Sequence, residues 1–161
     1  MRDGGRHLRL RGQSLLIVLL LGALLVESAA AADICGYAAK GTLMIARDVQ
    51  TVSTFRVGLA ETHDQQRRGL MGCRDLAPGT GLLFIYPDAR QRIFWMKDTP
   101  LALAILFISS SGRIAAIEEG RPFSTHHIRS PDSIQYVLEI HLDEGDALQV
   151  GDRITLQLTP E

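Results

Sequence analysis

The sequence predicts a mostly-β α+β fold, a strongly curved sheet or partly open β-barrel carrying one short helix. Three observations lead there: short segments with a period-two apolar pattern, glycine- or proline-bearing turns between them, and a single stretch with a helix-capping signature. In STFRVGLAET, Phe55, Val57 and Leu59 alternate with polar or small neighbours, as in a half-buried strand. Thr62 then stands at an N-cap with Gln65 three residues on, a capping box, and Gly69 and Gly72 limit the helix to about two turns. GLLFIYP, from Gly81 to Pro87, reads as an apolar strand closed by a proline turn, and RIFWMKDT reads as another strand. The run Leu101 to Ile108 is apolar at every position, which suits a strand buried on both faces. Ser109 to Gly112 then turn the chain into RIAAIEE, so these two segments should form a hairpin. SIQYVLEIHL and DRITLQL supply two further strands on either side of DEGDALQVGD.

The chain of 161 residues divides into a signal peptide at 1–32, an N-terminal lead-in at 33–50 and a single globular domain at 51–161. Arg2, Arg6, Arg9 and Arg11 precede an apolar run from Leu15 to Val26, and Ala29 to Ala32 follow it. That order of basic end, short apolar core and small-residue cleavage site is the order of a signal peptide. The run is shorter than the ~20 residues needed to span a bilayer, which makes a permanent transmembrane helix the weaker reading. The arginines are not paired as a twin-arginine signal requires, and Ala32-Asp33-Ile34 lacks the small residues that precede a lipidated cysteine. The expectation is therefore cleavage after Ala31 or Ala32 and export, for example to a bacterial periplasm, with N-terminal membrane anchoring as the alternative if the signal stays uncleaved.

The formal net charge of −1 includes the basic leader, so the remainder is modestly acidic. That balance argues against a nucleic-acid partner and offers no basic face to anionic lipid, and the signal-peptide reading implies no stable membrane insertion once the signal is removed. Cys35 and Cys73 both survive cleavage and would enter a compartment where thiols oxidise. A bridge between them would close a loop of roughly forty residues and stabilise the fold by about 4 kcal/mol in the chain-entropy model. Two unrelated thiols are the other reading.

Several blocks then carry a resemblance. ETHDQQRRGLMGCRDL, GLLFIYP, FWMKDTPLALAILFI, GRIAAI and YVLEI, with VGD near the end, resemble in order and spacing the successive blocks of the domain of unknown function 192 family. The similarity runs from about Val57 to Leu156, and RRGLM followed by FWMK and a threonine is its specific part. The resemblance implies a small, mostly-β, often exported single-domain protein, and implies no reaction, substrate or cofactor. The chain departs from the family pattern in three places. Cys73 stands where an arginine is usual, with Arg74 one place later; Leu103 and Ala104 replace a Leu-Asp pair; and Leu142 and Asp143 replace an Ala-Gly pair. An activity that used that arginine or aspartate would not carry over.

Strand alternation puts Phe94 and Met96 on one face and Ile93, Trp95 and Lys97 on the other. Likewise Tyr136, Leu138 and Ile140 oppose Val137, Glu139 and His141. Glu139 is thus a carboxylate inside an apolar strand, and burying it ionised costs several kcal/mol unless it is paired. Lys97, Arg67 or Arg68 should supply the cation. Trp95, Lys97, Glu139 and His141 form the candidate binding face, with a structural ion pair and an exposed histidine as the plainer reading. Other constellations are weaker. His126 and His127 are neighbours without zinc-like spacing, His63 and Asp64 lie within one helical turn, and PGTGLL lacks the lysine of a phosphate loop. No catalytic residue, metal or cofactor is assigned. Two functions remain: an exported noncatalytic module binding a small molecule, glycan or protein segment, or a small hydrolase or lyase using Glu139 with Lys97 or His141 as acid and base.

Overall fold

The computed structural model describes residues 33–131 and 133–160, so the expected signal peptide lies outside the described residues. The strands are β1 (Asp33–Ile34), β2 (Tyr37–Arg47), β3 (Gln50–Ala60), β4 (Thr80–Arg90), β5 (Ile93–Phe94), β6 (Leu103–Ser109), β7 (Ile114–Gly120), β8 (Ile128–Arg129), β9 (Ile134–His141) and β10 (Arg153–Leu158). The helix α1 (His63–Arg68) follows β3, and a 3₁₀ turn occupies Leu142–Gly145. Eight strands make one mixed sheet in the order β1-β2-β3-β4-β9-β6-β7, with β10 also on β2, while β5 and β8 form a separate pair. The mostly-β α+β expectation stands. The sheet curls without closing: β10 and the turn before it meet the start of β7 through the bridge Arg113–Arg153 and backbone bonds that include Ile114 N–H to the Asp152 carbonyl at 2.9 Å and Ile154 N–H to the Gly112 carbonyl at 2.8 Å.

The segment 33–50, expected to be a lead-in, belongs to the body of the fold. Leu43 and Ile45 of β2 are fully buried, and β2 pairs with β1, β3 and β10. Its alternation is obscured by Lys40 and Gly41, where the register against β3 shifts at a bulge. Pro87 does not end its strand. Having no N–H to donate, it falls in the gap between the Ile85 and Arg90 pairings of β4 with β9, and the chain stays extended through it. RIFWMKDT pairs over only two residues because β8 offers only two partners, yet burial alternates from Ile93 to Lys97 as the pattern requires.

The capping box forms as expected. The Gln65 N–H donates to Thr62 Oγ1 at 3.3 Å and the Thr62 N–H donates back to Gln65 Oε1 at 3.0 Å. The hairpin forms too, β6 pairing antiparallel with β7. Every residue of β6 from Leu103 to Ile108 is buried because the sheet has a core on each face. One holds Leu43, Ile45, Phe55, Val57, Leu83, Leu106, Leu138 and Ile140 inside the curl. The other holds Leu82, Phe84, Leu103, Ile105, Phe107 and Val137 beneath Leu70, Phe94 and Met96. This second layer is roofed by the crossover from β3 to β4, the sheet's parallel pair, whose long connection carries α1. Cys35 and Cys73 are joined in a disulfide with Cα atoms 5.4 Å apart, fastening the β1–β2 turn to that crossover.

Candidate functional site

Glu139 lies in the roofed layer because β9 alternates: Leu138 and Ile140 face the inside of the curl, so Val137 and Glu139 face the crossover. On either side it pairs with Leu82 of β4 and Ile105 of β6, both apolar and buried. Above it α1 ends at Gly69, whose φ of 50° and ψ of −134° suit glycine. A Cβ built on Gly69 would stand 3.3 Å from Phe84 Cζ and 3.7 Å from Glu139 Oε2. A side chain there would crowd Phe84 and come into contact with the carboxyl. The Tyr37 hydroxyl holds this turn by donating to the carbonyls of Gln65 and Gly69, each at 3.1 Å.

The carboxyl closes the floor of a cavity of about 200 Å³. Phe84, Tyr86, Phe94 and Trp95 supply aromatic walls, Gly69, Leu70 and Met71 the roof, and Arg67 and Arg68 border it from the helix. Phe84 and Phe94 meet edge to face at 5.1 Å, which fixes that wall. Trp95 is 43% exposed and stands between this cavity and a neighbouring depression bordered by Asp64, Arg67, Arg68, Met71 and Lys97. On the other side, Gln66, Arg67, Tyr86 and Ile93 are shared with a groove that continues to Asp88 and Arg92.

The expected neutralising ion pair is not formed. Glu139 is 5% exposed, its Oε2 has no hydrogen-bond partner, and no basic group reaches it as an ion pair among the described residues. Arg67 instead lies 3.9 Å from the exposed Asp64. Arg68 donates to the Cys35 carbonyl at 2.6 Å and stacks over the Tyr37 ring. The Lys97 ammonium sits 5.5 Å from the Trp95 ring centre and 4.0 Å from Asp98. The physical alternative to pairing is protonation: burial pushes the Glu139 carboxyl up to about 8, so it is predominantly neutral at pH 7. Two other buried atoms without partners, Arg92 Nε and Glu144 Oε2, belong to side chains anchored elsewhere, to Asp88 at 2.8 Å and to the Gly79 N–H at 2.7 Å.

The geometry thus brings Trp95, Glu139, Arg67 and Arg68 to one cavity. It leaves Lys97 one depression away, and His141 is not among the residues lining the cavity. Sequence reasoning missed Gly69, Tyr86 and the buried Thr99, whose side chain also lines the cavity. Thr99 was visible as the threonine closing the FWMK block. Gly69 stood out only as a helix stop and Tyr86 only within the GLLFIYP strand, because their proximity to Glu139 depends on how the crossover folds back. Among the described residues no group of three or more His, Cys, Asp or Glu side chains is placed to hold a metal ion.

A sequence profile of DUF192, the family described as Uncharacterized ACR, matches residues 44–156, which include the whole floor and rim of this cavity. The chain belongs to the DUF192 family. Two solved structures are similar to this DUF192 protein. A proposed transcription regulator from Sinorhizobium meliloti is 35% identical with a TM-score of 0.70, over 74% of this chain and 95% of that one. A protein of unknown function from Novosphingobium aromaticivorans is 24% identical with a TM-score of 0.67, over 71% of this chain and 83% of that one, a likeness of fold. None of the curated proteins matches the chain.

Proposed function

We propose that this DUF192 protein is an exported, noncatalytic binding module that takes a small ligand in the Glu139 cavity. One observation carries the reading: a buried carboxyl whose Oε2 has no partner, on a residue that lines an aromatic-walled cavity bordered by Trp95. Stability alone favours an apolar side chain at that position, because an unsatisfied buried polar group costs about 1–3 kcal/mol. A polar group retained at such a cost calls for a role, and ligand recognition fits a concave, mostly apolar site with a few convergent polar groups. The acid–base alternative loses support because Lys97 and His141 do not line the cavity, leaving Glu139 without the second group that proton transfer needs. Export is supported by the three-part leader and by a disulfide that suits an oxidising compartment.

The test is a thermal-shift screen of small metabolites against the protein and its Glu139→Gln variant. A ligand at a hundred times its Kd raises stability by about 2.7 kcal/mol. We expect at least one chemical class to give such a saturable rise, together with a change in emission from Trp95, the chain's only tryptophan. Both responses should weaken in Glu139→Gln. A screen in which no class binds, or in which binding ignores residue 139, overturns the proposal.

A further inference from the structure

We infer that the occupant is a small zwitterion of the amino-acid class, its ammonium on Glu139 and its carboxylate at the cavity mouth beside Arg67. This rests on the binding reading above and adds the ligand's chemistry. The floor offers acceptor atoms: Glu139 lines the cavity, its Oε2 is unpartnered, and Gly69 brings no side chain against that oxygen. An ammonium carries three donors and no acceptor, so it matches an acceptor floor, and Phe84, Tyr86, Phe94 and Trp95 give it an aromatic surround. The mouth has the opposite character. Arg67 is exposed, lies no closer than 3.9 Å to Asp64, and borders all three contiguous depressions, leaving its fork of donors available to a carboxylate. Arg68 borders the mouth too, but it is committed to the Cys35 carbonyl and the Tyr37 ring. A cation alone would leave the guanidinium unanswered, and an anion alone would leave the floor unanswered. A volume of about 200 Å³ admits a single small molecule of this kind.

Binding changes the floor's charge. The neutral carboxyl gives up its proton to solvent as the ammonium arrives, so one proton is released for each ligand bound. Besides the ligand, the groups facing Glu139 are Tyr37 from β2, Tyr86 from β4, and Arg67 and Arg68 from α1. Burial raises the Tyr37 hydroxyl and pushes Tyr86 up to about 12, so both stay neutral. Between pH 6 and pH 8 it is therefore Glu139, and neither tyrosine, that titrates. With the competent ionised form rising from about one part in a hundred at pH 6 to about half at pH 8, affinity should rise by tens of fold.

The experiment is calorimetry and Trp95 fluorescence on the full chain as exported. The probes are free L-amino acids, amines matched to them but lacking the carboxylate, acids matched to them but lacking the amine, and neutral sugars. We expect at least one amino acid to bind tenfold or more tighter than either of its half-molecules, releasing about one proton at pH 7 in buffers of differing ionisation enthalpy. Glu139→Gln should lose at least tenfold for amino acids and amines and abolish proton release. Arg67→Gln should lose a similar factor for amino acids and nothing for matched amines. Saturable binding of sugars or of the acids alone would overturn the zwitterion while leaving the binding function standing. Equal affinity for amino acids and matched amines would overturn the role of Arg67. Silence from every probe, where a broader metabolite screen still finds a ligand, would overturn the inference alone; silence in both would overturn the binding function with it.

Discussion

The neutral Glu139 carboxyl makes the molecule's stability depend on pH in an unusual direction. Its ordinary value is 4.5 and burial raises it to about 8, so between those limits the unfolded chain is ionised there while the folded chain holds the proton. Folding binds the extra proton, and stability falls as pH rises. The contribution is fully present below about 4.5 and is lost as pH climbs through about 8. At pH 7 the loss is about 3 kcal/mol. Glu139→Gln should therefore be more stable than the parent by that order at pH 7 and nearly equal to it at pH 4.5, as measured by urea unfolding at the two values. An equal difference at both would mean that Glu139 does not titrate between them. Trp95→Ala should behave differently. Because the ring is half exposed and bears only an exposed cation–π contact with Lys97, its removal should cost about 1 kcal/mol, against the 3–5 typical of a core tryptophan, while weakening the ligand's thermal shift. Both residues stood out in the sequence, Glu139 as a charge in an apolar strand and Trp95 by alternation with Phe94 and Met96. The answer to the buried charge did not. Pairing and protonation both relieve it, and only the folded positions of Arg67, Arg68 and Lys97 decide between them.

Elements were legible where local chemistry sets them. Thr62 and Gln65 define the start of α1 through bonds within four residues, and the unbroken apolar run of β6 announces burial on two faces. Elements set by distant partners were not. β5 and β8 pair over only two residues each, and the alternation of β2 is broken where its register against β3 shifts. The disulfide belongs to this second kind. Sequence supplied two cysteines and a compartment; the fold supplies the 5.4 Å between their Cα atoms. Its place matters to the site, because Cys73 lies shortly after Gly69 and Leu70, and Arg68 binds the Cys35 carbonyl. Cys35→Ser with Cys73→Ser should lower stability by at most about 4 kcal/mol, since the 38-residue separation sets the chain entropy released on unfolding. The same variant should weaken ligand binding, as the roof over Glu139 loses its tether to the β1–β2 turn. A variant with lower stability and unchanged affinity would show that the capping box and the Tyr37 bonds hold the roof unaided.

At the scale of the molecule, the fold is a sheet curled until its ends touch at one place, and β2 is the strand on which the curl depends. It pairs with β3 along one edge and with both β1 and β10 along the other, so it joins the first and last segments of the domain. Arg47 at its end binds Asp152 through two bonds of 2.9 Å, and this guanidinium holds the Asp152 carboxyl below its usual range. Asp152 in turn accepts the Gln149 N–H and offers its carbonyl to Ile114, which ties the turn before β10 to β7. Removing residues 33–50 would therefore do more than shorten the chain. It would take Leu43 and Ile45 out of the inner core, where each large-to-small loss costs about 2–5 kcal/mol, and would leave β10 without its ladder. Those two losses alone come to about 4–10 kcal/mol, comparable with a typical domain's whole stability of about 5–15 kcal/mol. We expect a chain of residues 51–161 to lack the dispersed amide spectrum that residues 33–161 give, and to show no cooperative unfolding transition. A folded 51–161 fragment with a native-like spectrum would place the core of the domain in β4, β9 and β6 alone and make β2 an accessory strand.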